Sequence, residues 1–304
     1  MLALVIAQFT QKHFRSFDGT EIAYQTVGPQ NATGMPLVLA NGLGGNHSTW
    51  LPMLERLSQP RRVITWDYRG LYGSRRPIGH GTLGPAEQVR DLELLLEQEG
   101  IERAVLVGWS MGVQVNFEAV RRMPRKVAGL VAVNGVAGRP FRTALPCGLL
   151  RRAIPGAITL MRKYSPLIGP LTHFGLRIPG LFPAMARLGL VGSVDVAMFT
   201  EFARGFASLD FDLYGQTLAA LGEHDAHDVL ARIKCPFTVV AGDRDVMTPL
   251  KTAHRIIDQV PHGRLRILHG GTHYTPVEFP DEVAAEIERV VAEAEAGALS
   301  SAQA

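Results

Sequence analysis

The stretch Gly108-Trp109-Ser110-Met111-Gly112 decides the fold that this sequence predicts. A short apolar run, Ala104–Val107, leads into it, and a helical pattern begins at Met111. Glycines around a serine permit a sharp, crowded turn that larger side chains would block. Such a turn presents the Ser110 hydroxyl at the end of a strand and beside a helix N-terminus, where developing negative charge is stabilised. The motif predicts a nucleophile elbow with Ser110 as nucleophile; a helix-capping serine is the alternative.

Short apolar runs on both sides of this motif predict further strands. Runs of four to seven residues rich in Val, Leu and Ile are typical of strands buried on both faces, as in a parallel sheet. An Asp18-Gly19 turn predicts a hairpin between Phe14–Phe17 and Glu21–Val27. The remaining predicted strands are Leu37–Ala40, Val63–Trp66, Ala104–Gly108, Val127–Val133, Phe237–Ala241 and Leu265–Leu268.

Helical patterns alternate with these strands. They cover Thr49–Leu57, Pro85–Glu97, Met111–Arg122, Pro249–Gln259 and Pro280–Glu293, and the tail from Ala294 to Ala304 is expected to fray. Ser48 is a plausible N-cap for the first, and Gly100 should end the second. Alternation of this kind predicts an α/β fold in which helices flank one mostly parallel, eight-stranded sheet.

The alternation fails between residues 138 and 232, where seven prolines lie among many apolar residues. We predict that this stretch, the cap segment, is a helical subdomain inserted after the sixth strand, with residues 1–137 and 233–304 forming the core. Its phenylalanines suggest an apolar acyl or alcohol group in a substrate, although they could equally form the cap's own core. They are Phe141, Phe174, Phe182, Phe199, Phe202 and Phe206.

A serine nucleophile requires a base and a carboxylate that orients the base. Of ten histidines, His273 lies in a glycine-rich loop after the last strand, at the sheet edge that should also hold Ser110. His269 is its nearest competitor, and His47 could line the pocket. After the strand Phe237–Ala241, Asp245 and Asp243 compete for the carboxylate role, and Asp245 is favoured because it precedes the turn into the next helix.

With the order nucleophile, acid, base, the chain resembles the esterase- and lipase-like branch of the α/β-hydrolases over nearly its whole length. The motifs that carry the resemblance are Gly108–Gly112, Gly242-Asp243-Arg244-Asp245 and Gly271-Thr272-His273. The resemblance implies an oxyanion hole in the loop Asn41–Gly45, where asparagine replaces the family's usual histidine. Its donors would be the backbone amides of Leu43 and Met111. Gly42 and Trp109 are expected to contact the substrate.

A further family pattern, Asp-x-Arg-Gly-x-Gly-x-Ser, is found at Asp67–Ser74. Tyr72 occupies the position of its second glycine. We interpret this loop as structural, and the departure concerns only its local backbone.

Composition excludes several classes of protein. Hydrophobic residues make up 46% of the 304 residues, and 31 basic against 28 acidic residues give a net charge of +3. We expect no single stretch to concentrate that charge, and therefore no nucleic-acid partner. Two distant cysteines exclude a disulfide framework, and the sequence has no cluster of Cys and His residues at metal-ligand spacing. The stretch Gly42–His47 is not a dinucleotide-binding motif, because His47 replaces its last glycine. The apolar start Met1–Ala7 is too short for a secretory leader, and no 18-residue apolar run predicts a membrane span; the expected location is cytoplasmic.

These features predict a cofactor-free serine hydrolase that cleaves a carboxylic ester, lactone or thioester of an apolar small molecule through an acyl-enzyme. Acyl transfer, C–C bond hydrolysis and cofactor-free perhydrolysis would use the same three residues and stay open. A ligand-binding protein without turnover is the alternative from another class. The apolar cap segment also allows weak attachment to a membrane surface, and the sequence does not settle the oligomeric state.

Overall fold

A computed structural model describes residues 9–29, 31–79, 81–143, 148–175 and 203–302. Eight strands form one sheet in the order β1-β2-β4-β3-β5-β6-β7-β8, in which β2 pairs antiparallel with β1 and β4 and every other pairing is parallel. The predicted mostly parallel, eight-stranded sheet is confirmed. The strands are β1 (Thr10–Arg15), β2 (Glu21–Val27), β3 (Leu37–Ala40), β4 (Val63–Trp66), β5 (Ala104–Trp109), β6 (Val127–Val133), β7 (Phe237–Gly242) and β8 (Arg264–Leu268).

The first strand lies earlier in the chain than Phe14–Phe17. Its register pairs Arg15 with Glu21, so the hairpin turn already begins at Ser16. The Ser16 amide donates to the Thr20 carbonyl (2.8 Å), and the Thr20 amide donates to Asp18 Oδ1 (3.0 Å). Phe17 lies in the turn, where its ring contacts the guanidinium groups of Arg69 and Arg90 at 4.3 and 3.2 Å from the centroid.

Helices flank the sheet as predicted, with differences at their ends. The first helix begins at Leu51 because Asn46, rather than Ser48, caps a preceding 3-10 turn. The last helix continues to Ala302 instead of fraying at Ala294, since Ala and Glu favour helix and Ala294 itself is buried. Outside the cap segment the helices are α1 (Leu51–Leu57), α2 (Pro85–Gln98), α3 (Met111–Arg122), α9 (Leu250–Ile257), α10 (Thr275–Glu278) and α11 (Pro280–Ala302).

Successive residues of the central strand enter two different cores, because strand side chains alternate between faces. Leu106 packs with α2 and α3, whereas Val105 and Val107 pack with α1 and α11. Both faces of the parallel sheet are therefore covered, as the continuous apolar runs predicted.

The described residues between β6 and β7 are helical. They form α4 (Pro140–Thr143), α5 (Gly148–Lys163), α6 (Ser165–Gly175), a short helical stretch at residues 203–207, α7 (Phe211–Glu223) and α8 (His227–Leu230). Helix α7 packs against both α5 and α6. The division into core and cap subdomain stays a prediction, and Phe182, Phe199, Phe202, Cys147 and the segment Met1–Ala7 lie outside the described residues.

Within the ranges that the structure describes, no helix combines the length and the apolar character needed to cross a bilayer.

Candidate active site

The turn at Ser110 has the backbone of a strained elbow. Its φ of 55° and ψ of −114° lie in a region that residues with a side chain rarely adopt. A Cβ on Gly108 would lie 2.4 Å from the Gly112 carbonyl oxygen, and one on Gly112 would lie 2.1 Å from that of Ala40. Both glycines are required because β5, α3 and β3 approach each other too closely for a side chain.

The sheet topology brings the predicted site residues to one edge. Strands β3, β5, β6, β7 and β8 run parallel and adjacent to one another, so the loops at their carboxyl ends emerge together. Ser110, Asp245 and His273 follow β5, β7 and β8 respectively. The structure therefore places in contact three residues that are separated by up to 163 positions in the chain.

A hydrogen-bonded relay joins these three side chains. His273 Nε2 lies 2.9 Å from Ser110 Oγ, and His273 Nδ1 lies 2.8 Å from Asp245 Oδ2. With Nδ1 bonded to the carboxylate, Nε2 is the nitrogen that can accept the serine proton. The His273 side chain is 7% exposed and that of Asp245 is 1% exposed, so little water screens the pair. The arrangement is chemically competent to activate a hydroxyl group.

Asp245 is held as a charged acceptor. Its Oδ1 accepts the backbone amides of Met247 and Thr248, each at 2.8 Å, and the Thr248 hydroxyl donates to Oδ2. Burial by itself would raise the pKa of Asp245, but the neighbouring His273 and the hydrogen bonds from Thr248 hold that pKa below its ordinary value.

The competing acid and histidine pair with each other outside the relay. Asp243 Oδ2 lies 3.0 Å from His269 Nδ1, and the Gly270 amide donates to Asp243 Oδ1 at 2.7 Å. The His269 side chain is 86% exposed, whereas that of His273 is 7% exposed, so His269 is not the histidine of the relay. This second pair links the loop after β7 to the loop after β8.

Asn134 belongs to the site although the sequence analysis did not single it out. Its side-chain amide donates to Asp245 Oδ2 (2.8 Å) and to the Thr272 carbonyl (2.7 Å), and its own oxygen accepts the Thr275 hydroxyl. Asn134 directly follows β6 and has a φ of 46°, a conformation that asparagine tolerates better than most residues. A polar residue at the end of an otherwise apolar strand was the signal that could have identified it.

Trp109 links the elbow to the histidine loop. Its indole Nε1 donates to the His273 carbonyl at 2.8 Å, and the residue is 3% exposed. A Cβ on Gly42 or Gly45 would lie 2.7 or 2.8 Å from the indole ring, so this ring also supports the loop after β3. The side chain of Trp109 therefore holds two loops in place, and its contact with substrate stays a prediction.

The loop after β3 contains Gly42, which is expected to contact the substrate, and Leu43, whose backbone amide is the expected oxyanion donor. Asn41 is fully buried and structural: its Oδ1 accepts the Trp50 indole (2.7 Å), and its Nδ2 donates to the Trp66 carbonyl (3.0 Å). In the described chain, no backbone carbonyl outside the helices and strands accepts the amides of Leu43 and Met111. Because Met111 opens α3, its amide has no intrahelical acceptor, and both N–H groups are available to an anion.

Tyr72 fixes this loop from the other side. Its hydroxyl donates to the Gly44 carbonyl, although its backbone has a φ of 49° that favours glycine. We expected this departure from the family pattern to affect only the backbone of the Asp67–Ser74 loop, but its effect extends further. The side chain reaches the Asn41–Gly45 loop, and residue Gly205 of the cap segment lies against its ring.

His47 lies at the end of that loop, where its ring packs edge-on against Phe9 with centroids 5.2 Å apart. Burial lowers the pKa of this imidazole below its ordinary value of 6.5. Its Nδ1 is buried and has no hydrogen-bond partner among the described residues. A role for His47 in lining a pocket stays a prediction.

Comparisons with known proteins agree with this architecture. The chain is 24% identical over 254 residues to RutD of Azorhizobium caulinodans, a protein named as a proposed carbamate hydrolase, covering 83% of this chain and 89% of RutD. A hydrolase from Pseudomonas aeruginosa PA01 superimposes with a TM-score of 0.74 at 24% identity, covering 93% of this chain and 98% of that one. The enol-lactonase from Burkholderia xenovorans LB400 gives 0.72 at 20% identity, covering 93% and 100%.

The model of one family, described as the alpha/beta hydrolase family, matches residues 37–286. That match begins at β3 and includes the elbow, the cap segment and the loops that carry Asp245 and His273. Because it spans well over half of the 304 residues, the chain belongs to the alpha/beta hydrolase family.

Proposed function

We propose that this hydrolase is a serine esterase that cleaves a carboxylic ester, or a related lactone or thioester, of an apolar small molecule. The observation that carries the proposal is the relay Ser110–His273–Asp245, with contacts of 2.9 and 2.8 Å, at a strained turn that opens a helix. A structural serine gains nothing from a buried imidazole that is itself aligned by a carboxylate, whereas a nucleophile requires both.

In the proposed mechanism, His273 Nε2 takes the proton of Ser110 as Oγ attacks the carbonyl carbon. The Asp245 carboxylate stabilises the imidazolium and holds its tautomer. The negative oxygen of the tetrahedral intermediate would accept the amides of Leu43 and Met111, aided by the N-terminus of α3. His273 then protonates the leaving alcohol, and water, activated by the same imidazole, releases the acyl group from Ser110.

An apolar wall beside the proposed oxyanion loop supports an apolar substrate. The Phe206 ring lies next to Gly44, where a Cβ would approach it to 2.9 Å. Phe206 also contacts the rings of Phe211 and Tyr214, with centroids 5.3 and 5.2 Å away. Phe206 and Tyr214 of the cap segment therefore lie beside Gly44 in the loop that carries Leu43, and Phe211 packs against both rings.

Carbamate hydrolysis is a second candidate, because RutD proteins from several bacteria match most of the chain. A carbamate presents the same carbonyl to the serine, and the same two amides would bind its oxyanion. The difference lies in the leaving group and the acyl-side heteroatom, so the relay serves either reaction.

The proposal is tested by labelling with an alkyl phosphonate, followed by p-nitrophenyl esters of increasing acyl length beside lactones, thioesters and carbamates. We expect one phosphonate on Ser110, none on the Ser110→Ala protein, and fastest turnover within the ester and lactone series. A folded protein that neither reacts with the phosphonate nor turns over any substrate would be a ligand-binding protein. Product analysis with competing nucleophiles distinguishes hydrolysis from acyl transfer and perhydrolysis.

A further inference from the structure

One face of the cap segment exposes a row of large apolar side chains. Leu160, Tyr164, Leu167, Leu171 and Phe174, together called the cap stripe, are 59%, 45%, 56%, 64% and 67% exposed. They recur every three or four residues from Leu160 near the end of α5, through Tyr164 between the helices, into α6. This is the spacing that puts side chains on one side of a helix, and backbone hydrogen bonds from Tyr164 to Leu160 and from Leu167 to Tyr164 continue the helical path across the junction. Helix α7 packs against both α5 and α6, so it supports the two helices without covering the stripe.

This clustering is specific to the cap segment. The other exposed large apolar residues of the described chain are Ile78, Val246, Met247 and Leu299, which lie on separate elements. Single exposed apolar residues are ordinary, whereas a contiguous row of five side chains marks an interaction surface.

Charge is segregated in the same part of the chain, contrary to our expectation that no stretch concentrates it. Residues 139–194 contain eight Arg and Lys residues and no Asp or Glu, which leaves 23 basic residues for the rest of the chain against all 28 acidic ones. Arg152 and Lys163 are exposed on α5, and Lys163 Nζ lies 5.4 Å from the ring centroid of Tyr164, a residue of the stripe. Arg162 is paired with Asp212 of α7, at 2.9 Å.

We propose that the cap stripe is a docking surface for an anionic lipid bilayer. Helices α5 and α6 would lie in the plane of the membrane, with the five apolar side chains in the headgroup and acyl boundary and the cations at the lipid phosphates. Exposed leucine and phenylalanine combined with cations and no acids is the chemistry of such an interface. At 16 and 11 residues, the two helices lie on the bilayer and do not span it.

Charge also favours a lipid bilayer over a second copy of the chain or a nucleic acid as the partner of the cap stripe. A second copy docked through the same face would bring the exposed Arg152 and Lys163 of both copies together with no acidic residue on α5 or α6 to offset them, which opposes self-association. A nucleic acid would attract the cations but would leave leucine and phenylalanine side chains against phosphates. The inference does not depend on the chemistry proposed for Ser110, because none of the stripe residues belongs to that site.

A tryptophan placed on the stripe reports its environment directly. The chain has three tryptophans, and Trp50, Trp66 and Trp109 are at most 3% exposed, so Phe174→Trp adds the only tryptophan open to an aqueous quencher among the described residues. Without lipid, we expect acrylamide to quench the added emission at any protein concentration. With phosphatidylglycerol vesicles, the emission should shift to the blue and resist acrylamide. Protection without lipid at every concentration would show that the chain itself covers the stripe, and protection that grows with concentration would show self-association; either result overturns the proposal.

Vesicle flotation supplies matched variants. We expect the wild type to float with phosphatidylglycerol vesicles, Leu171→Ser to bind about tenfold more weakly, and Leu299→Ser, which changes an equally exposed leucine on α11, to bind like the wild type. Arg152→Glu/Lys163→Glu should weaken binding to phosphatidylglycerol and leave the weaker binding to phosphatidylcholine unchanged. Equal binding of Leu171→Ser and Leu299→Ser, or no flotation of the wild type, overturns the inference. Hydrolysis of a water-soluble ester, measured without lipid on the same variants, reports on the proposed function separately.

Discussion

The side-chain amide of Asn134 donates to the same carboxylate oxygen, Asp245 Oδ2, that faces the imidazole of His273, and both contacts are 2.8 Å. The second hydrogen of that amide bonds the carbonyl of Thr272, the residue before His273. One asparagine at the end of β6 therefore sets both the carboxylate and the loop that carries the imidazole, and it acts on the reaction as a positioning residue.

Asn134→Gly tests this arrangement, since glycine keeps the positive φ and removes the amide. Losing a hydrogen bond to a charged group should lower kcat by about 10- to 100-fold, with KM little changed. Asn116→Ala is the matched control, because Asn116 is equally buried and its side chain has no hydrogen-bond partner in the described part of the chain. Steady-state kinetics decide the question: equal kcat values for the two variants would show that Asn134 does not position the relay.

Asp245→Asn should reduce kcat by about 10³- to 10⁴-fold, because the amide can stabilise neither the imidazolium nor the required tautomer. Asp243→Asn, the neighbouring acid that faces His269, should retain nearly full activity. A large loss from Asp243→Asn together with a small loss from Asp245→Asn would reverse the assignment of the two acids.

The depressed pKa of Asp245 also determines how the protein responds to acid. A carboxyl group whose pKa is lower in the folded than in the unfolded chain stabilises the fold above its unfolded pKa, and that contribution is lost as pH falls through the folded pKa. Asp245 therefore stays ionised at pH 5, and loss of its charge should not contribute to a fall of the rate between pH 7 and pH 5. Rate profiles combined with circular dichroism over the same pH range check this. A rate that stays flat down to pH 4 would argue against His273 as the base.

Tyr72→Phe removes the hydroxyl that holds the Gly44 carbonyl and leaves the ring in place. We expect kcat to fall by about tenfold, since the loop that presents the Leu43 amide loses a neutral hydrogen bond, while thermal stability changes little. Tyr24→Phe is the control, because its hydroxyl bonds Glu99 away from the site. Unchanged kcat in Tyr72→Phe would confine Tyr72 to a structural role.

Asp67→Asn should stabilise the protein at neutral pH. Burial raises the pKa of Asp67 from 3.8 to about 6, and its Oδ1 has no partner among the described residues. Between these two values the folded chain holds a proton that the unfolded chain has released, so stability falls as pH rises through this window, by up to about 3 kcal/mol. The Tm of Asp67→Asn should exceed that of the wild type at pH 7 and approach it near pH 4. Asp258→Asn, on an exposed residue, should show no such pattern.

The elbow was predictable because its chemistry is local. Gly108 and Gly112 are dictated by the close approach of backbone on each side of Ser110, and five consecutive residues carry that signal. Asp245 and His273 could be inferred because parallel strands present their ends at one edge of the sheet. The fold class follows from the same alternation of short apolar runs and helices.

The hydrogen-bond partners of Asn134 and Tyr72 could not be predicted from the sequence because those partners lie far away in the chain. The acceptors of Asn134 are 111 and 138 residues away, and the Tyr72 hydroxyl meets a carbonyl 28 residues earlier. The position of the first strand depended on how Asp18 and Thr20 bond across the turn. Helices α5 and α6 continue through Pro155 and Pro170, so proline alone did not mark their ends.

The bond from the Trp109 indole to the His273 carbonyl has a consequence for heating. Trp109 adjoins Ser110 in the chain and packs against the loop after β3. One buried side chain therefore connects the turn at Ser110, that loop and the loop that carries His273. We therefore expect thermal motion of the His273 loop to be coupled to motion of the turn at Ser110. On heating, activity should then be lost at the temperature at which the whole protein unfolds, and not several degrees below it.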